Sequence, residues 1–147
     1  MYAELYCKAH QHNTRVLAWG YESWNGGSCP VTEFYSWARN KDPRMYNSTA
    51  VQEWANATAT CVAKSGFDGV MLDQEGIGGP PIGTVAERTA ITYAVCELKA
   101  ALNKSIPGSM VAWSTDTGPY FDYAAMTNQG CVDLCTACVN SSLLWVF

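Results

Sequence analysis

Apolar residues recur along this chain in two rhythms. Over 48–65, Val51, Trp54, Ala55, Thr58, Cys61 and Val62 return at three- and four-residue steps, the period of one helix face. Ser48 stands where a cap belongs, and Gly66 where such a helix stops. A second long helix is expected over 84–104, with Thr84 and Glu87 at capping-box spacing and Pro107-Gly108 as its terminator. Residues 2–12 read as the end of a helix stopped at Asn13. Residues 31–40 read as a short helix capped by Thr32 and broken by Lys41-Asp42-Pro43. Three shorter apolar runs, at 15–20, 67–75 and 110–113, are too brief for helices and read as buried strands. The stretches 21–30 and 76–83 are full of glycine, proline and serine and read as loops; 118–130 is loop or short helix.

The resulting order is strand, helix, strand, helix, strand. Such alternation predicts an α/β fold, its strands parallel and joined by right-handed crossovers. Neither a repeat nor a linker divides the 147 residues, so one domain is expected.

Composition narrows the setting. A net charge of −4, with nine scattered Lys and Arg, argues against nucleic acid as a partner. No apolar run approaches the ~18 residues of a membrane span, so no membrane is expected either. Seven cysteines (7, 29, 61, 96, 131, 135 and 138) point to an oxidising compartment. Four Asn-x-Ser/Thr sequons, at Asn47, Asn56, Asn103 and Asn140, point the same way, to a lysosomal or secreted glycoprotein. Residues 1–10 include Glu4, Lys8 and His10 and lack the apolar core of a signal peptide. A start downstream of the true N-terminus is therefore expected.

The chemistry concentrates in 67–75, Phe-Asp-Gly-Val-Met-Leu-Asp-Gln-Glu. Alternation along a strand gives Gly69, Met71, Asp73 and Glu75 one face and Val70, Leu72 and Gln74 the other. Asp73 and Glu75 fall at the C-terminal end, where parallel α/β folds carry their chemistry. Two carboxylates so close repel, and one then holds its proton near neutral pH as an acid catalyst must.

This stretch resembles the Asp-Gly-x-Asp-x-Asp-x-Glu signature of family 18 glycoside hydrolases. Asp68, Gly69, Asp73 and Glu75 match it, and Met71 replaces the inner aspartate. Within the family the resemblance is strongest to the chitobiase branch, where that position is also not aspartate. It extends over about 3–134: Glu4-Leu5-Tyr6-Cys7, Ala9-His10 and Arg15-Val16 before the motif, Val111-Ala112-Trp113-Ser114 and Cys131-Val132-Asp133 after it. The resemblance implies a partial (β/α)8 TIM barrel, roughly strands three to six of eight, filling 1–147 as a single partial catalytic domain with 135–147 as a divergent tail. The family's sixth strand carries a Met-x-Tyr-Asp-like element, whereas here the chain runs Leu134-Cys135-Thr136-Ala137-Cys138-Val139-Asn140.

The implied activity is hydrolysis of β-1,4 N-acetylglucosamine linkages by a substrate-assisted retaining mechanism, an exception to the scheme with a protein nucleophile. Glu75 would protonate the leaving oxygen. Asp73 would orient the substrate's 2-acetamido group, which attacks in place of a protein nucleophile. Asp68 and Gly69 would be structural. No cofactor is implied, and the partner is an N-acetylglucosamine oligosaccharide. Trp19, Trp113, Met71 and Tyr120 are candidate substrate contacts, since aromatic faces pack on sugar rings. Trp19 and Trp113 suit core packing equally well, and Trp37, Trp54 and Trp145 are assigned to packing. A chitin-binding module without catalysis and an inactive truncated fragment are the alternatives; the presence of Glu75 favours the enzyme.

Other signals lead nowhere stronger. Cys131, Cys135 and Cys138 include a Cys-x-x-Cys but lack a fourth nearby ligand, so no metal is expected. His10 and His12 read as a solvated helix end. The loop 76–83 lacks the Gly-Lys-Ser/Thr of a phosphate loop.

Overall fold

A computed structural model describes residues 2–21, 29–74, 84–115 and 129–135. Helix α1 (Tyr2–Gln11) leads into strand β1 (Leu17–Tyr21) through Asn13, whose positive φ of 53° turns the chain out of the helix. A 3-10 turn over Pro30–Thr32 opens the short helix α2 (Glu33–Arg39). The expected Thr32 cap is not made by its side chain. A second 3-10 turn, Pro43–Tyr46, precedes the long helix α3 (Ser48–Lys64). Strand β2 (Gly69–Gln74), helix α4 (Val85–Ser105), strand β3 (Met110–Thr115) and the two-residue strand β4 (Leu134–Cys135) complete the described chain.

The strands lie in chain order, β1-β2-β3-β4, and every neighbouring pair is parallel. Leu17, Gly69 and Met110 share one row across the sheet. Two residues on, Trp19, Met71, Ala112 and Leu134 share a row, and two further on Tyr21, Asp73 and Ser114 share another. Parallel neighbours need a crossover between them. Helices α2 and α3 carry the chain from β1 to β2, and α4 from β2 to β3.

One sheet face is sealed by those helices. Val70, Leu72, Val111 and Trp113 are buried there beneath Val51, Ala55 and Val62 of α3 and Ile91, Ala94, Val95, Leu98 and Leu102 of α4. The helix positions recur with the helical period, as a single packed stripe requires. Each fully buried aliphatic side chain contributes roughly 1.5–3 kcal/mol. Trp37 and Trp54 are buried too, with Phe34 between them at ring distances of 5.9 and 5.0 Å. Trp54 Nε1 donates to the Pro30 carbonyl at 2.7 Å, which fixes the turn before α2 against α3. Trp145 lies outside the described residues.

The caps show how local chemistry sets the helix ends. For α3 the cap is Asn47, one residue earlier than expected: its Oδ1 accepts from Thr49 N and Ala50 N at 3.0 and 3.2 Å. At α4 both halves of the capping box form. Glu87 N donates to Thr84 Oγ1, and Thr84 N donates to Glu87 Oε2. Gly66 ends α3 with a φ of 78°, a conformation other residues rarely adopt.

Among the described residues, two disulfides tie loops to helices. Cys29–Cys61 anchors the segment before α2 to α3, and Cys96–Cys131 anchors the segment before β4 to α4. Cys7 is exposed and unpaired. Disulfides are compatible with a secreted or lysosomal protein. Among the described residues no helix is long and apolar enough to cross a membrane.

Candidate active site

Asp68, just before β2, and Gly69, its first residue, both do structural work. Asp68 N donates to the Val16 carbonyl at 2.8 Å, and Val16 N donates back to Asp68 Oδ2 at 2.8 Å. One aspartate thus closes a two-way clamp onto the residue that precedes β1. His10 Nε2 lies 2.8 Å from the same Oδ2, and the Arg15 guanidinium lies 4.0 Å from Oδ1. An ionised carboxylate is acceptor-only, so His10 is the donor in its pair. Burial pushes the Asp68 carboxyl up, but the Val16 N–H, the His10 hydrogen bond and the His10 and Arg15 charges outweigh it and hold Asp68 below its ordinary value. Sequence reasoning read His10 as solvated; its partner lies 58 residues away, and no local pattern signals such a pairing.

The same clamp recurs before β4. Asp133 N donates to the Val111 carbonyl at 2.9 Å, and Val111 N donates to Asp133 Oδ2 at 2.7 Å. Lys99 supplies the positive charge here, donating to Asp133 Oδ2 and to the Ser109 carbonyl. A signal for this was visible in the sequence, since Asp68 and Asp133 each stand immediately before a strand.

Gly69 is required by close approach. A Cβ at this position would sit 1.9 Å from the Met110 carbonyl oxygen and 2.7 Å from Met110 N, and the backbone φ is 155°. No side chain fits between β2 and β3 there.

Further along β2 the face opposite the helices takes over. Trp19 on β1 is 46% exposed, and Leu17, Met71 and Met110 in the same rows are half-buried, while Ala112 is buried. Trp19 and Met71 are direct register partners, so the structure brings these two candidate contacts together. Trp113 is not with them. It alternates to the other face, is 0% exposed and packs among the helices, away from Trp19 and Met71.

Asp73 is the second-last residue of β2, in register with Tyr21 on one side and Ser114 on the other. It lies five positions beyond Asp68, ~16 Å along an extended strand. Asp68 thus stands just before the start of β2 and Asp73 near its other end. Glu75 and Tyr120 fall outside the described residues.

Of the sequon asparagines, Asn47, Asn56 and Asn103 are exposed, and Asn140 lies outside the described residues. Asn103 Oδ1 accepts from Ser109 Oγ at 3.0 Å. Among the described residues no group of three or more His, Cys, Asp or Glu could hold a metal. Cys131, the first of the three clustered C-terminal cysteines, is committed to its disulfide with Cys96. Comparison with protein-family models, curated proteins and solved structures finds no match to this chain.

Proposed function

We propose that this chain carries the catalytic strand of a retaining glycosidase that hydrolyses β-1,4 N-acetylglucosamine linkages with the substrate's own acetamido group as nucleophile. The observation that carries the reading is the division of labour along β2. Asp68 and Gly69 hold the strand to its neighbours at one end, and Asp73 stands near the other, in the last row shared by β1, β2 and β3. The spacing from Asp73 to Glu75 keeps the alternation of the strand, so the acid belongs beyond the same end.

In this mechanism Glu75 gives its proton to the leaving glycosidic oxygen. The acetamido carbonyl oxygen attacks the anomeric carbon, forming an oxazolinium-like intermediate. Asp73 accepts from the acetamido N–H, turns its carbonyl toward the anomeric carbon and balances the developing positive charge. Water then opens the intermediate, giving its proton back to Glu75, and configuration is retained. The exposed indole of Trp19, beside Met71, offers an apolar platform for a sugar ring. On this reading the four parallel strands are strands three to six of a (β/α)8 barrel, their uncovered face being the barrel interior. The protein is then a lysosomal or secreted hydrolase of chitobiose and chitin oligosaccharides.

Release of a fluorophore from its chitobioside tests the assignment. Replacing Glu75 by Gln removes the acid and lowers turnover by roughly 10²–10⁴-fold while leaving oligosaccharide binding in place. Equal turnover in the two proteins would refute Glu75 as the acid. Binding of chitobiose by a wild-type chain that turns nothing over would favour the non-catalytic binding module.

A further inference from the structure

Thr58 poses a physical problem. It sits in the middle of α3, 0% exposed, on the stripe that includes Trp54, Ala55 and Val62. Its hydroxyl has no hydrogen-bond partner among the described residues. A buried hydroxyl without a partner is destabilising, and valine would fill the same volume without that cost. In the folded helix the hydroxyl contributes nothing that a methyl group would not.

The neighbours of Thr58 supply a use for it. Asn56-Ala57-Thr58 is a glycosylation sequon, in which the transferase reads the hydroxyl two residues after the acceptor asparagine. Asn56 itself is exposed, and a shallow open depression lined by Asn56, Thr60 and Lys64 runs beside it along α3. Cys61 of the same helix is disulfide-bonded to Cys29, which is compatible with an oxidising compartment, where such transferases work. The hydroxyl is within reach of an enzyme only while α3 is unformed.

We propose that Asn56 carries an N-linked glycan, attached before α3 folds, and that Thr58 keeps its hydroxyl for that step. The donor is a polyprenyl-diphosphate-linked oligosaccharide. The bond from its sugar C1 to the diphosphate oxygen breaks, a C1–Nδ2 bond forms, the proton leaves Nδ2, and the lipid diphosphate departs. Folding then buries Thr58 and leaves the glycan on the solvent face of α3. The sequons at Asn47 and Asn103 differ, because their hydroxyl residues Thr49 and Ser105 stay exposed in the folded chain.

The test is glycopeptide mapping of the full chain directed into the secretory pathway of a eukaryotic host. Deglycosylation in heavy-oxygen water marks each formerly occupied asparagine. Secreted and retained protein are both mapped, so a folding defect does not hide the result. Asn56 is expected to be marked in the wild type and in Thr58→Ser, and unmarked in Thr58→Val. The unglycosylated Thr58→Val protein is expected to melt no lower than the unglycosylated wild type. An unmarked wild-type Asn56 would overturn the proposal, and so would a Thr58→Val protein that melts clearly lower. For timing, transferase and donor are offered the oxidised folded chain and the reduced unfolded chain. Only the unfolded one is expected to gain a glycan at Asn56; equal modification of both would overturn the order of events.

Discussion

At the scale of single residues, the first half of the catalytic-type motif is explained without any catalysis. Asp68 accepts a backbone N–H from the residue before β1, and Gly69 leaves room for the backbone of β3. Gly69→Ala would drive a methyl group into the Met110 carbonyl. We expect a loss of at least ~2–3 kcal/mol, the range of overpacking and backbone strain combined, measured by denaturant unfolding. An alanine protein with wild-type stability would contradict the close approach. Asp68 makes a pH-dependent prediction. Its folded-state pKa lies below the ordinary aspartate value of about 3.9, so its ionic contribution is present above that value and fades as pH falls through the folded one. The melting-temperature gap between wild type and Asp68→Asn should therefore be widest near pH 6 and shrink below about pH 4. A gap that does not change with pH would show that the charge on Asp68 is irrelevant. The structural role of Asp68 and Gly69 was legible through the resemblance of 67–75 to the glycoside hydrolase signature. Their partners were not: His10 and Met110 reach them only through the fold.

At the scale of elements, helix periods were easy to read and helix ends were not. The stripe over 48–65 identified α3, because six residues repeated its period. Its cap was placed one residue late, since Asn47 and Ser48 are both good caps and only backbone geometry chooses between them. The capping box of α4 was readable because it needs two specific residues at a fixed spacing. Asn47→Ala should cost about 1 kcal/mol in protein made without glycans, as typical cap losses do, whereas Asn47→Asp keeps an acceptor at the helix N-terminus and should cost almost nothing. Equal losses in thermal melts would mean that the Asn47 cap does not support α3. Cysteine count announced disulfides but not their pairing. Cys29–Cys61 and Cys96–Cys131 join residues 32 and 35 positions apart, through contacts that only the packed helices create.

At the scale of the molecule, the parallel sheet in chain order follows from alternating strands and helices, and one face is filled by helix side chains as the apolar runs anticipated. Strand alternation alone could not tell which face the helices would cover. That choice sends Trp113 into the core and leaves Trp19 and Met71 on the face opposite the helices. The proposed chemistry depends on the substrate as much as on the protein, because the attacking oxygen belongs to the sugar's acetamido group. The most direct measurement is therefore the rate of fluorophore release from a chitobioside beside that from the matching cellobioside, which has a hydroxyl in place of each acetamido group. The account predicts turnover of the first and none of the second. Comparable turnover of both, or of the cellobioside alone, would contradict a substrate-assisted mechanism and the role given to Asp73.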